Sequence, residues 1–227
     1  SGILSREELA EYKAEVSADE YNQEMLCEFL AYGGLIYKEW GAHNIISPFE
    51  IPGHWTFHYG FDHGVTNPTS FHPARIDEKG NIFITGEHYV AGQNVEWHAP
   101  KIKALMRAPD DPVASDPSIF SKNLQAKGRA QTYSVADEYD DCGITGMFAA
   151  KNDVLAGISR VQRYMKFNPE REHPITHQNG SPMLFVIRGA APMLEWEISN
   201  YQWKKKTKAD MNEPDQPTFV MTEYDTS

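Results

Sequence analysis

Between Trp55 and Asp62 the chain alternates without a break. Trp55, Phe57, Tyr59 and Phe61 fall on one side of an extended strand, and His54, Thr56, His58, Gly60 and Asp62 on the other. The apolar run stops at Asp62, where Gly64, Asn67 and Pro68 turn the chain. A hairpin is predicted next, from Ser70–Ile76, the turn sequence D-E-K-G-N at Asp77–Asn81, and Ile82–Val90. Asn94–Met106 follows helical spacing, with Val95, Ile102 and Met106 on one side and Pro100 marking a kink. Arg107–Pro112 reads as a loop, and Val113–Ser115 as a short buried strand running straight into Asp116-Pro117. Asn152 is predicted to cap a helix whose face carries Leu155, Ile158, Val161 and Met165. Pro182–Ile187 reads as another buried strand and Met193–Ile198 as a short amphipathic element, followed by Tyr201-Gln202-Trp203 and the basic run Lys204–Lys208.

Ahead of these elements, Ser5 and Glu8 in S-R-E-E form a capping box, and Leu9, Tyr12 and Val16 share a helical stripe. Ile45–Gly53, with its prolines and glycine, reads as a linker. The expected organisation is therefore an N-terminal helical and linker segment, 1–52, and a main domain, 53–227. Strand, hairpin, helix, strand, helix, strand in that order gives an α/β mixed sheet. Its first three strands are antiparallel, and later parallel strands arrive through helices that flank the sheet.

Composition narrows the function classes. The chain has 227 residues, 41% hydrophobic and 23% charged, enough for a real core. No apolar run has the length of a membrane span, and two cysteines, Cys27 and Cys142, are too few for a disulfide framework, which points to a reducing compartment. A net charge of −11 argues against a protein that coats nucleic acid. It leaves room for an enzyme with an acidic metal site and only a local basic track.

Asp62 supplies such an acid, fixed at the mouth of a buried strand beside a glycine-lined turn, and Asp116 ends a second strand in the same way. Carboxylate oxygens suit hard divalent cations such as Mg²⁺ and Mn²⁺. The plain structural reading of each acid is a turn cap that accepts backbone hydrogen bonds.

The segments Y-G-F-D-H-G-V-T-N-P-T-S, I-T-G-E-H-Y-V-A-G, S-D-P-S-I-F and D-V-L-A-G-I-S-R-V, in that order and spacing, resemble the nuclease domain of tailed-phage large terminase subunits. The resemblance covers roughly residues 54–205. The segment E-Y-N-Q-E-M-L-C-E-F at Glu20–Phe29 resembles the tail of the terminase ATPase domain, while no G-x-x-x-x-G-K-[ST] loop is present. What the resemblance implies is a ribonuclease-H-like fold and a metal-dependent endonuclease that cuts concatemeric viral DNA during packaging. It further implies two Mg²⁺ or Mn²⁺ ions, Asp62 and Asp116 as metal ligands and catalytic acids, and the host cytoplasm as the place of action. The implied partners are double-stranded DNA, the ATPase domain of the same protein, the portal and the small terminase subunit, with no membrane involved. The family's third acid, on a helix of the D-H-x-x-D-A-L-R-Y type, has no counterpart in this sequence. Either it lies beyond Ser227, the domain being cut short at its C-terminus, or Asp225 or Asp215 stands in.

Other candidates are weighed on their residues. Lys122, Lys127 and Arg129 form a basic stretch able to contact phosphates, and are equally an ordinary solvated loop. Glu87 ends a strand within reach of the acids or is an exposed hairpin charge, and His63 is an outer partner of the site or a turn histidine. His54, His58, Asp62, His63 and His72 together suggest a rival reading, a zinc metallohydrolase. A non-enzymatic rival is a viral assembly or adaptor module that docks a basic partner through its acidic surface.

Overall fold

A computed structural model describes residues 34–122, 133–203 and 217–219. Lys38–Ile198 forms one compact unit, and the described residues outside it belong to a second. In that second unit, β11 (Tyr201–Trp203) pairs antiparallel with β12 (Pro217–Phe219), and Ile36 donates its amide to the Tyr201 carbonyl at 2.9 Å.

The larger unit is built on one mixed sheet. Its strands are β1 (Ile45–Ile46), β2 (Thr56–Asp62), β3 (Thr69–Ile76), β4 (Ile82–Ile84), β5 (His88–Val90), β6 (Val113–Ser115), β7 (Met147–Ala149) and β10 (Leu184–Ile187). Across the sheet they run β1, β10, β4, β3, β2, β6, β7, with β5 continuing the β4 edge of β3. The β2–β3 and β3–β4 pairs are antiparallel, and β6 and β7 add in parallel beside β2. This is the mixed arrangement the sequence order predicts. A small exposed hairpin, β8 (Asn168–Glu172) with β9 (Asn179–Ser181), lies outside this sheet.

The β3–β4 turn follows from its residues. Asp77 Oδ1 accepts the amides of Lys79 and Asn81 at 2.9 and 2.8 Å, while Asp77 Oδ2 accepts from the Asn81 side chain at 2.7 Å. Helix α1 (Val95–Lys103) starts at the Asn94 cap and buries Val95, His98, Ala99 and Ile102, with Pro100 on its exposed side. Helix α2 (Val135–Asp141) has its own capping box, in which the Asp137 amide donates to Ser134 Oγ and the Ser134 amide to Asp137 Oδ2. Helix α3 (Val154–Met165) is capped by Asp153, which accepts from the Ala156 amide, and not by Asn152 as its sequence suggests. Of its predicted apolar face Ile158 and Met165 are buried, while Leu155 is exposed. Helix α4 spans Pro192–Asn200.

The alternation in β2 sorts the two faces of the sheet. Tyr59 and Phe61 are buried with Phe71 and Val113 against Ile102 of α1 and Tyr139 of α2. Ile46, Phe49, Ile51 and Trp55 pack around Phe83 and Phe185 in a second cluster. The stretch Ile45–Gly53 is thus part of the folded sheet unit and not a linker: Ile45 and Ile46 pair with β10, and the buried Ile46 and half-buried Phe49 and Ile51 anchor the prolines against the core. On the opposite face Thr56, His58, Gly60 and Asp62 are all exposed, although β2 is a central strand.

Candidate active site

Asp62 is the last residue of β2, and the chain must turn at once. A Cβ on Gly64 would lie 2.3 Å from the Asn67 carbonyl oxygen, so only glycine fits this turn. The fully buried Thr69 locks it, its hydroxyl donating to the Gly64 carbonyl at 2.8 Å. The carboxylate is consequently held at the C-terminal end of a central strand.

Asp116 reaches the same place from β6. The parallel register pairs Phe61 with Ser115, and the Asp116 amide donates to the Phe61 carbonyl at 3.2 Å. Register partners point the same way, so Asp62 and Asp116 share the exposed face. Asp116 also caps the 3-10 helix Pro117–Phe120, its Oδ1 accepting the Ser118 amide at 2.8 Å, which fixes its rotamer. Desolvation and then the charges of Asp116 and Glu197 raise the Asp62 carboxyl above the usual carboxylate range. Asp62 thus feels two further acids at once.

Glu197 comes from α4. Asp62, Ser70 and Tyr89 are successive register partners across β2, β3 and β5, and the Tyr89 hydroxyl donates to Glu197 Oε1. Burial, followed by that carboxylate, pushes the Tyr89 phenol well up, so it stays a donor. Glu87 sets the start of the helix. Its two oxygens accept the amides of Met193 and Leu194 at 2.9 and 3.1 Å, with His72 3.6 Å away. Burial alone would raise the Glu87 carboxyl; His72 and the two amides outweigh it and hold it below the usual range. Glu87 is therefore neither an exposed hairpin charge nor a member of the acid group, because its oxygens are used on α4. Glu197 and Tyr89 do not stand out in the sequence. The one local signal is an acid within the Met193–Ile198 element, which carries no D-H-x-x-D pattern.

The histidines scatter. His54 pairs with Glu78 on the surface, His58 is exposed, and His72 faces Glu87. His63 lies 3.3 Å from both the Tyr139 hydroxyl and the Thr69 hydroxyl. It neighbours a buried pair not foreseen from sequence, His88 Nε2 and His98 Nδ1 at 2.7 Å. Burial lowers the pKa of all three rings, and His88 and His98 also feel each other or His63. Among the described residues no three His, Cys, Asp or Glu side chains converge as a ready-made metal site. Lys122 is exposed, and its charge adds to the Ser134 hydrogen bonds that lower the Asp137 carboxyl. Lys127, Arg129, Asp215 and Asp225 lie outside the described residues. No described helix is long and apolar enough to cross a membrane.

The acid pair fits hard cations by the chemistry of its donors: two carboxylates lie in one row, and burial and then its acidic neighbours already raise one of them, a cost that a bound cation would relieve.

No family model matches the chain, and no curated protein matches it significantly in sequence. Solved structures do match its fold. The nuclease domain of the P22 large terminase aligns at 19% identity and TM-score 0.56, over 76% of this chain and 81% of that one. A large terminase from a thermophilic bacteriophage aligns at 19% and 0.59, over 95% of this chain, which spans only 48% of that protein's length. The large terminase nuclease of thermophilic phage G20c, solved with bound cobalt, aligns at 14% and 0.52, over 84% and 90%. The fold of this chain, ribonuclease-H-like with a mixed sheet and flanking helices, is that of phage large-terminase nuclease domains.

Proposed function

We propose that the protein is a metal-dependent endonuclease that cuts concatemeric viral DNA during genome packaging, with Asp62, Asp116 and Glu197 as its acids. The observation that carries this reading is the placement of Asp62 and Asp116 side by side at the ends of adjacent parallel strands, with the Asp62 carboxyl raised by burial and then by its acidic neighbours. Two terminase nucleases that share the fold supply the functional context.

Two Mg²⁺ or Mn²⁺ ions, when bound, polarise a phosphodiester and generate a nucleophile at neutral pH. Asp62 and Asp116, side by side at the ends of their strands, would hold such ions through their carboxylate oxygens. The Ser118 amide fixes Asp116 by one oxygen, leaving the other free. Tyr89 holds Glu197 by one oxygen and keeps the other available. Glu197 is the third candidate because Tyr89, in register with Asp62 through Ser70, holds it beside this row of the sheet. DNA, the portal and the small subunit are the partners, and the ATPase domain of the same protein delivers the DNA, its tail resembling residues 20–29. The site of action is the host cytoplasm.

The test is nicking of supercoiled plasmid with Mn²⁺. The wild-type chain should convert plasmid to open circles, and Asp62→Ala and Asp116→Ala should not. Cutting by either variant at near the wild-type rate would sink the assignment.

A further inference from the structure

Gly60 sits inside β2, where glycine normally weakens a strand. Its φ is not positive, so its backbone does not require glycine, and a Cβ built on it meets nothing within 4 Å, so neither does packing. A glycine inside a strand often marks a bulge, a bend or the close approach of a ligand, and the unbroken β2–β3 register through Gly60 leaves no bulge there. Its register partner in β6 is Ala114, another small residue, and Ala114 pairs in turn with Phe148 of β7. Met147 packs into the core beneath α2, which turns Phe148 to the opposite, open face, where it is 48% exposed. Phe148, Ala114 and Gly60 therefore form one row across the sheet, and Asp116 and Asp62 form the next row on the same face. With strands about 4.8 Å apart and two residues spanning about 6.6 Å, Phe148 stands roughly 8 Å from Asp116, the scale of one nucleotide.

We propose that Phe148, with Gly60 and Ala114 as the floor beside it, is a nucleotide-packing subsite of the DNA groove. One strand of DNA crosses the floor, and a sugar–base unit next to the cleaved phosphate packs on the Phe148 ring. The inference rests on the nuclease reading. An aromatic platform suits a sequence-independent cutter because every base has a π-face. The floor also carries no side chain that would hold the phosphodiester away from the acids. In a chain of net charge −11, Phe148, Ala114 and Gly60 bring no carboxylate to this row.

The experiment pairs two readouts on the full 227-residue chain: Mn²⁺-dependent nicking kinetics, and anisotropy of a fluorescein-labelled oligonucleotide in Ca²⁺. Phe148→Ala should raise both KM and oligonucleotide Kd about fivefold or more with kcat within about twofold, and Phe148→Trp should restore both. The introduced indole should be quenched by added DNA. Gly60→Val should keep the wild-type melting temperature or exceed it, since a β-branched residue suits a strand, yet lose binding and cutting together. A Phe148→Ala variant with wild-type KM and Kd, or a Gly60→Val variant that cuts normally, would overturn the subsite. If the wild type binds DNA through Phe148 and does not cut, the nuclease reading fails alone; if it neither binds nor cuts, both fail.

Discussion

The Asp116 amide donates to the Phe61 carbonyl at 3.2 Å, and that one bond carries the β2–β6 register one step past the strands and brings Asp116 level with Asp62. A carboxylate raised by burial and by like-charged neighbours is a liability to an empty site and an asset to a filled one. The folded chain holds the Asp62 proton more tightly than the unfolded chain, so metal-free stability is gained as pH falls through the raised folded value and is reduced above it. Asp62→Asn should therefore raise the metal-free melting temperature at pH 7.5, with a smaller gain at pH 4.5. Mn²⁺ should stabilise the wild type and not the variant. A variant that melts lower than wild type at pH 7.5 without metal would contradict the electrostatic account.

Glu197 and Tyr89 form a second testable pair. Glu197→Gln should cut plasmid at least tenfold more slowly, the cost of losing one metal-directed charge, about 1.4 kcal/mol of barrier or more. Tyr89→Phe should have a smaller effect, since it frees Glu197 without removing it. Calorimetric Mn²⁺ titration distinguishes Glu197 from the C-terminal candidate: Glu197→Gln should weaken binding while Asp225→Asn leaves it unchanged. The reverse pattern would give the third role to Asp225.

Glu87 acts through α4. Glu87→Ala leaves the Met193 and Leu194 amides without their acceptors, a loss of about 1 kcal/mol by analogy with other helix caps. Activity should fall by more than this stability loss explains, because the helix that carries Glu197 is no longer anchored. Circular dichroism melting beside nicking rates measures both. Equal activity of variant and wild type would separate the cap from the site.

The buried histidines predict an acid-side weakness. Burial holds His63, His88 and His98 below their usual value, so the unfolded chain takes up protons that the folded chain refuses. Stability should be lost as pH falls below about 6.5, where free histidine titrates. His98→Gln, neutral and close in size, should flatten the slope of melting temperature between pH 7.5 and 5.5. A slope as steep as wild type would place the acid sensitivity elsewhere.

Charge bears on DNA affinity. At −11 overall, the chain should bind DNA weakly and without sequence preference, and affinity should fall steeply with salt. Tight, sequence-selective binding at 150 mM salt, about the physiological level, would point to a recognition module.

How much of this is legible in the sequence depends on range. Thr56–Asp62 and the hairpin to Val90 follow from local alternation and turn residues, and they emerge nearly as written. Asp62 and Asp116 are recognisable because each ends an apolar run. The α2 helix escapes a sequence reading because Val135–Asp141 is largely acidic and its box uses Asp137 where the usual pattern has Glu or Gln. Strand β7 escapes it because only Met147 of its three residues packs against the core, which leaves no alternation to read. The roles of Glu87 and Glu197 depend on β5 meeting α4, a contact between residues far apart in sequence, and no local pattern encodes it. The same holds for β1, whose two residues acquire meaning only beside Val186 and Ile187.

The pairing of β10 with β4, Leu184 beside Ile82, also sets an order of events. The antiparallel β2–β3–β4 meander closes short loops and can form early, whereas β10 must cross most of the domain before it finds its edge. Asp62 and Asp116 both belong to the part of the chain that is made first. Glu197 follows β10 and cannot reach them until that late strand has docked. A ribosome-bound or partly folded chain therefore holds two of its acids without the third, and on this reading cutting competence arrives with the final act of folding.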